Sequence, residues 1–331
     1  MGASTVDLGH GVHVIDTLMS GYTGITAGYV VLGDRPCLIE TGTARSAPVV
    51  IAALAGLGLG AEDLATVVVT HIHLDHAGGV GDIAAAYPRA DIVVHEAGAR
   101  HLVDPSRLMG SARRVYGSAM DDVFGELLPT PAERVRAVGS SANIDLGGGR
   151  TLSAHYSPGH AKHHIGLLDS DTGDLYVGDA VGIYIPEADV LRPSTPPPDF
   201  DLDTAVESLH LFAGLGPRRL LFSHYGPVGA VSATLERSEE ELKLWVELTR
   251  TARRDRLDLD HAVAMVQDRT AERYAAVRSR PDVDEKFEQL NSVAANLVGI
   301  NRWLDRLEGS SYELGDAASA AAATLRPASP A

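Results

Sequence analysis

The stretch Thr70-His71-Ile72-His73-Leu74-Asp75-His76 predicts the fold of this chain, and it lies directly after an apolar, β-branched run at Val67–Val69. Such a run is typical of a buried strand. On extended backbone, residues two apart point to the same side, so the first two histidines can bind one metal ion. If the chain then turns into a helix, the aspartate and the last histidine face another direction and can bind a second ion. Unpaired polar groups at the end of a buried strand would each cost about 1–3 kcal/mol, so the stretch favours metal ligands over a polar loop with chance histidines.

Three further candidate ligands lie downstream. His160 follows the strand-like segment 151–156, Asp179 follows 175–177, and His224 follows 220–222. Loops that leave strands are where α/β folds build their sites. A strand-end histidine alone is a weak signal, because many such histidines are simply hydrogen-bonded. A two-metal site needs about six or seven donors, and the whole set supplies that number.

In order and spacing, these motifs resemble the metallo-β-lactamase superfamily over about residues 10–230. They are His71-x-His73-x-Asp75-His76, Pro158-Gly159-His160, Gly178-Asp179 and Ser223-His224. The resemblance implies an α/β (α+β) fold, the four-layer αββα sandwich, with the metals at one edge of the two sheets. It also implies a ligand set: His71, His73 and His160 for the first metal, Asp75, His76 and His224 for the second, and Asp179 as the bridge.

Two departures from the family pattern bear on function. Main two-metal β-lactamases use a cysteine where this chain has Asp179, and its only cysteine, Cys37, lies in an apolar run where a buried small hydrophobe is expected. Antibiotic hydrolysis is therefore disfavoured, and the ligand set is similar to that of glyoxalase II. Glu40 stands where many members have an aspartate that orients a ligand histidine, and the longer side chain can still reach.

The resemblance implies a dinuclear metallo-hydrolase with two divalent ions, zinc first, with iron or manganese as alternatives. A hydroxide shared by the ions would attack the carbonyl of an ester, thioester or lactone, so the expected partner is a small-molecule substrate. Asp75 is expected to act in catalysis as well as in ligation. His164 is grouped with it, because 158–164 resembles the Pro-Gly-His-Thr-x-x-His run of glyoxalase II relatives, where the later histidine supports the site.

Three alternatives remain open from the sequence. A phosphodiesterase would use the same metals with added cations for the phosphate, and Lys162 is the nearest one. A persulfide dioxygenase of the same fold would use a single iron held by two histidines and an aspartate. A non-catalytic binding module would leave the complete ligand array without a use.

No ligand or catalytic role is expected for the other histidines or for three tyrosines. We expect His163 on the surface or in packing. Three tyrosines lie on loops expected near the metals, where they would line a wall: Tyr22, Tyr184 and Tyr225. Seven histidines lack partners in the sequence and are expected to be structural or exposed: His10, His13, His95, His101, His155, His210 and His261.

Composition is that of an ordinary enzyme. The chain has 331 residues, of which 45% are hydrophobic, and its formal net charge is −16. Such a field repels phosphate backbones, so nucleic acid is not an expected partner. One cysteine excludes an internal disulfide and fits a reducing compartment. The sequence has no signal-peptide pattern and no apolar window of membrane-spanning length, so we expect a cytoplasmic protein that does not bind membranes.

The chain divides into a catalytic domain at 1–230, with a helical insertion at about 96–128, and a helical extension at 231–310. We expect the insertion either to form a wall over the metals or to be a surface helix pair. In the extension, helices are predicted at 231–253, 259–277 and 283–307. An apolar stripe in the last one predicts packing on the sandwich or a homodimer contact; it consists of Leu290, Val293, Leu297, Ile300, Leu304 and Leu307. Residues 315–331 are predicted to be disordered.

Overall fold

The computed structural model of the chain describes residues 5–117 and 119–314, so the tail predicted at 315–331 lies outside the described residues. Its first sheet has seven strands in chain order, antiparallel from β1 to β4 and parallel from β4 to β7. They are β1 Thr5–Gly9, β2 Val12–Asp16, β3 Ala27–Val31, β4 Cys37–Ile39, β5 Thr66–Val68, β6 Asp91–His95 and β7 Val135–Val138.

The remaining described strands are β8 Ser141–Asp145, β9 Thr151–Tyr156, β10 Ile165–Asp169, β11 Asp174–Gly178, β12 Ile183–Ile185, β13 Val190–Arg192, β14 Arg219–Phe222 and β15 Gly226–Val228. Six of them form the second sheet. The order in the sheet is β15-β14-β11-β10-β9-β8, and β12 pairs with β13 in a separate hairpin. Only the β11–β14 pair is parallel within this sheet. The glycine-rich turn at 146–150 joins β8 to β9, and the acidic loop at 170–173 joins β10 to β11.

Helices cover the outer faces of the two sheets. In chain order they are α1 Ala47–Gly56, α2 Leu74–Ala77, α3 Val80–Ala86, α4 Glu96–Val103, α5 Ser106–Tyr116, α6 Leu202–Gly214, α7 Val231–Arg254, α8 Leu259–Arg269, α9 Ala275–Arg278, α10 Pro281–Leu290 and α11 Val293–Glu308. A single π-helical turn, Met120–Phe124, follows α5. None of the helices in the described part of the chain is long and apolar enough to cross a membrane.

The two sheets pack face to face. Successive side chains of β5 point alternately into the core between the sheets and into the core beneath the helices. Val68 belongs to the apolar core between the sheets, together with Tyr29 and Tyr176, whose rings meet edge to face at 5.3 Å. Val67 belongs to the other core, between the first sheet and its helices. A strand buried on both faces reads as a continuous apolar run, which explains the sequence pattern before the histidine motif. The predicted αββα sandwich is confirmed, and Cys37 is fully buried in its core.

Of the three helices predicted in the extension, α7 has nearly the predicted extent, and the other two are each divided in the structure. The helix expected at 283–307 is two helices, α10 and α11, because the chain leaves the helical conformation at Asn291 and Ser292 caps α11 by accepting a hydrogen bond from the backbone of Ala295. Short polar side chains compete with helical hydrogen bonds in this way. The stripe also ends early, since Leu307 is 58% exposed. Likewise, 259–277 divides into α8 and α9.

The extension is joined to the sandwich by polar contacts as well as by apolar packing. The guanidinium of Arg192, at the end of β13, is buried and donates to Glu288 at 2.7 Å and to Asp284 at 3.0 Å, both on α10. On α11, Gly299 lies against the backbone of 195–197. A Cβ atom there would be 1.8 Å from the carbonyl oxygen of Thr195. Only glycine permits this approach of helix to chain.

We therefore predict that Gly299→Ala lowers the melting temperature by several degrees, because overpacking of a close contact costs about 1–3 kcal/mol or more. Gly214→Ala is the matched control, since an added Cβ at that position, at the end of α6, meets no atom within 4 Å. Calorimetric unfolding of both variants checks the prediction. Equal melting temperatures for the two variants would contradict the close approach.

Candidate metal centre

The histidine motif changes direction where the sequence predicts. β5 ends at Val68, and His73 is still extended, with φ −64° and ψ 151°, at the N-terminus of α2. Asp75 and His76 then lie in the helical turn Leu74–Ala77. The motif therefore presents its first two histidines on irregular extended backbone and its last two ligands on a helix. Two main groups of ligand atoms result, and a third group, His71, His76 and Asp179, spans them.

The first group consists of three imidazoles. His71 Nε2 lies 2.9 Å from His73 Nδ1, and His160 Nε2 lies 3.0 Å from the same atom. Zinc binds histidine nitrogen at 2.0–2.1 Å, so tetrahedral ligand atoms are about 3.3 Å apart. The three nitrogens are close to that spacing, and these residues form one of the groups able to hold a metal ion.

The second group contains Asp75, His76 and His224. His224 Nε2 lies 3.1 Å from His76 Nε2 and 3.4 Å from the carboxylate of Asp75. His76 Nε2 lies 3.6 Å from the same carboxylate. The fold therefore brings the members of both predicted ligand sets together, including His160 and His224, which lie far from the motif in sequence.

Asp179 lies between the two groups. Its Oδ1 is 3.2 Å from His76 Nε2 and 3.3 Å from His224 Nε2, while Oδ2 is 3.6 Å from His160 Nε2. Although Oδ1 is buried and close to these nitrogens, it makes no hydrogen bond of acceptable geometry among the described residues. A buried carboxylate oxygen without such a bond is costly, and a cation would satisfy it. The residues present therefore fit divalent cations.

Hydrogen bonds outside the two groups orient the imidazoles. His160 Nδ1–H donates to the carbonyl oxygen of Ser194 at 3.0 Å, and His224 Nδ1–H donates to that of Ile25 at 2.7 Å. A carbonyl oxygen only accepts, so in both rings Nδ1 carries the proton and the Nε2 lone pair faces the site. This arrangement selects the tautomer that binds a metal.

Glu40 reaches the site, although many family members have an aspartate at this position. The side chain is 1% exposed, and Oε2 lies 3.4 Å from His76 Nδ1, at an angle that does not make a hydrogen bond. Its Oε1 accepts from the backbone N–H of Thr70 at 3.2 Å. The carboxylate therefore lies behind the second group and contacts the strand end from which the motif starts.

His164, expected among the catalytic residues, lies behind Asp179 and does not line the cavity. Its Nδ1 pairs with Ser157 Oγ at 2.9 Å, and its Nε2 accepts from the backbone N–H of Asp179 at 3.3 Å. Gly178 makes room for the ring, because a Cβ there would be 2.4 Å from His164 Nε2, and its φ is +50°. The geometry gives His164 a positioning role.

The pKa shifts differ between the two groups. Burial, with the neighbouring imidazoles, lowers the pKa of His71 well below its usual value and that of His73 to about 4. Burial would also lower the pKa of His76, but the carboxylates of Asp75 and Asp179 raise it well above its usual value. Burial would raise the pKa of Asp179, but the neighbouring imidazoles of His224, His76 and His160 outweigh it and hold that pKa well below its usual range. The imidazoles of the first group are therefore neutral. A cation that binds the second group would displace protons from it.

A cavity of about 390 Å³ opens above the ligands. Five of the predicted ligands line its base: His73, Asp75, His160, Asp179 and His224. One wall comes from the insertion, mainly from α5 through Leu108, Ala112, Val115 and Tyr116. The opposite wall comes from 196–198 and from the C-terminal helices, through Leu290, Asn291, Ala295 and Asn296. Both the insertion and the extension therefore shape access to the site.

The structure shows where the other aromatic residues lie. Of the two positions expected for His163, surface or packing, it has the second: it is 6% exposed, lines the cavity and stacks on His71 with ring centroids 6.1 Å apart. Burial lowers the pKa of His163 to about 2. His101 also lines the cavity, whereas Tyr22, Tyr184 and Tyr225 do not. The tyrosine in the wall is Tyr116, and its helical spacing from Leu108, Ala112 and Val115 could have revealed it.

The model of the Metallo-beta-lactamase superfamily matches residues 14–224. The chain belongs to this superfamily. The metallo-beta-lactamase fold-containing protein ST1585 of Sulfurisphaera tokodaii is 30% identical over 222 residues, which are 66% of this chain and 79% of that protein. A hydroxyacylglutathione hydrolase of Synechococcus sp. is 30% identical over 128 residues, 37% of this chain and 36% of that enzyme. That match therefore spans about a third of the enzyme's length.

Solved structures extend the comparison of folds. The crystal structure of ST1585 from Sulfolobus tokodaii is 28% identical, has a TM-score of 0.60, and covers 72% of this chain and 87% of that one. The family protein TTHA1429 from Thermus thermophilus is 20% identical, with a TM-score of 0.63 over 92% of this chain and 95% of that one. The 92% of this chain that is covered is longer than residues 1–230, so the shared fold includes C-terminal helices.

A strap at 193–198 links the C-terminal helices to the ligands. Ser194 accepts from His160 through its carbonyl oxygen, and its Oγ donates to Asp179 Oδ2 at 3.1 Å. The next residue, Thr195, donates its backbone N–H to Asn296 Oδ1 at 2.7 Å. Asn291 Nδ2 donates to the carbonyl oxygen of Pro193 at 3.0 Å. The extension thereby holds the segment that orients two ligands.

We predict that Asn296→Ala weakens metal binding about tenfold, the lower end of what outer partners of metal ligands contribute. Asn301→Ala is the control, because Asn301 is a buried asparagine on the same helix that contacts Arg253 and Tyr312 instead. It should lower stability and leave metal affinity unchanged. Chelator competition measures affinity, and circular dichroism checks the fold. Equal affinity in the two variants would show that the strap does not orient the ligands.

Proposed function

We propose that this chain is a metal-dependent hydrolase, with a dinuclear centre, that cleaves an ester, thioester or lactone. One observation carries the proposal: the carboxylate of Asp179 lies between a three-histidine group and an Asp-His-His group, at the base of a cavity. His71, His73 and His160 would hold one ion and Asp75, His76 and His224 the other. Divalent ions bound there supply Lewis acidity, which activates water near neutral pH and polarises a carbonyl.

The chain's own residues support this chemistry by holding charge and geometry. Asp75 and Asp179 contribute two negative charges, fewer than two divalent ions bring, so the loaded site favours an anionic transition state. The carbonyl oxygens of Ser194 and Ile25 fix two imidazoles before any ligand arrives. His164 holds the backbone of Asp179 from behind. Such preorganisation means little has to rearrange during reaction.

The comparison with named relatives supports the reaction class. The hydroxyacylglutathione hydrolase relative is a hydrolase by its description, and the aligned part of this chain is 30% identical to it. An aspartate at 179, not a cysteine, favours that reaction class over antibiotic hydrolysis. A cavity of about 390 Å³ lies within the range of small-molecule sites.

The alternatives are less well supported. A persulfide dioxygenase with a single iron would not need the second group, and Asp75, His76 and His224 are assembled within ligand distance. A phosphodiesterase would need cations beside the metals, but the cavity base is lined by histidines and aspartates. A binding module would not need the water-activating chemistry of such a centre. We propose zinc as the metal, with iron or manganese as alternatives.

Asp179→Ala is predicted to lower metal content from two ions to one or none and to reduce hydrolysis at least a hundredfold, because it removes the ligand shared by both groups. The fold should persist, since the sandwich core supplies most of the stability of a chain this long. Asp268→Ala, on the exposed face of α8, is the control for loss of one carboxylate. Metal analysis and circular dichroism of both variants, with hydrolysis rates, provide the measurement.

A substrate panel tests the reaction class. Protein purified without added metal is assayed against an ester, a thioester, a lactone and a phosphodiester with a chromogenic leaving group, and oxygen uptake is followed with a persulfide. We expect turnover of at least one carbonyl substrate that chelator abolishes and Asp179→Ala loses. Faster phosphodiester cleavage, or oxygen uptake with iron alone, would replace the proposal by the corresponding alternative.

A further inference from the structure

The mouth of the cavity carries positive charge on a strongly acidic protein. Three cations line it, Arg100 on α4, Arg107 on α5 and Lys162 beside the ligand His160, while the chain as a whole has a net charge of −16. All three are exposed. They lie close enough to His101 that, after burial, their charges help to lower its pKa. The cations therefore form one cluster at the mouth.

Their existing partners leave most of this charge available. Arg107 has no hydrogen-bond or carboxylate partner within the part of the chain that the structure describes. Arg100 donates through Nε to His101 Nε2 at 3.2 Å, which leaves its charge uncompensated. Lys162 pairs with Asp199 at 3.1 Å, and Asp199 is the carboxylate that lines the cavity away from the metal ligands.

The cations and the metal ligands differ in depth within the cavity. The ligands at the base are buried or nearly so, and the cations are exposed at the mouth. Much of the remaining lining is apolar, from the buried Ile72 and Leu74 and the partly buried Leu108, Val115, Pro197 and Leu290. The arrangement fits a molecule with a reactive group at one end and an anion at the other.

We propose that the substrates are esters, thioesters or lactones that carry a terminal anion, a carboxylate or phosphate, joined to the reactive carbonyl by an apolar segment. This inference rests on the hydrolase function proposed above. Arg100 and Arg107 bind the anion at the mouth, and the apolar walls accommodate the linking segment. Arginine suits this task because its planar guanidinium can donate two hydrogen bonds to either anion.

Chain-matched substrates test the proposal. Nitrophenyl monoesters of dicarboxylic acids with six to ten carbons are compared with the same esters whose far carboxyl is methylated, and with analogues that end in phosphate. We expect KM to be about three- to tenfold lower for at least one charged series, since exposed charge contacts are individually weak. The advantage should shrink as salt rises, because exposed charges are screened.

Variants assign the effect to the mouth. Arg100→Gln/Arg107→Gln should remove the advantage of the charged esters, leaving kcat and the neutral esters unchanged. Arg89→Gln/Arg218→Gln removes the same charge from exposed positions outside the cavity lining and should keep the advantage. Whether the carboxylate or the phosphate series responds identifies the anion. Equal KM for charged and neutral esters at every chain length would overturn the proposal.

A binding measurement separates this inference from the hydrolase proposal. Calorimetric titration of the full-length protein, as purified, with dicarboxylates and their half-methyl esters needs no turnover. Tighter binding of the dicarboxylate that Arg100→Gln/Arg107→Gln abolishes supports the anion site even if no ester is hydrolysed. Equal affinities would reject the anion site, and hydrolysis of the neutral esters would then leave the hydrolase function standing.

Discussion

The structure depends on compensating one buried cluster of charge. Five imidazoles and two carboxylates meet at the edge of the sandwich, and most are nearly inaccessible to water. Such groups are costly in a core unless each finds a partner. The carboxylates partly neutralise the second group, carbonyl oxygens fix two of the rings, and one oxygen of Asp179 lacks a hydrogen bond among the described residues. The donors that remain are of the types that bind cations.

That constraint explains two glycines that are not themselves ligands. Glycine at 178 lets His164 approach the backbone of Asp179, and glycine at 299 lets α11 approach the strap that carries Ser194. The first contact holds the bridge from behind, and the second connects the C-terminal helices to two ligands. The extension is thus part of the support of the site, as well as one wall of its cavity.

Charged residues at the cavity mouth differ in their pairing from buried cations elsewhere in the chain. Acidic residues dominate the chain, yet the cavity mouth carries exposed arginines that have no carboxylate partner among residues 5–117 and 119–314. The buried cations elsewhere are paired: Arg192 meets two acids of α10, and Lys286 meets Glu187 at 2.8 Å. Pairing is what a buried cation requires for stability. Exposed cations that face a cavity have no such structural need, which makes them candidates for binding.

From the amino-acid sequence alone, the resemblance of its motifs to a known family predicted the sandwich and the division of the ligands into two sets. The candidate ligands themselves follow from short-range patterns: the apolar run before His71, the expected change from extended to helical backbone within the motif, and polar residues placed directly after strands. Only the tertiary structure revealed the break at Asn291, the cavity position of His163, the reach of Asn296 to the strap and the grouping of Arg100 with Arg107. These depend on which distant segments pack together, and local spacing carries no information about packing between segments many residues apart.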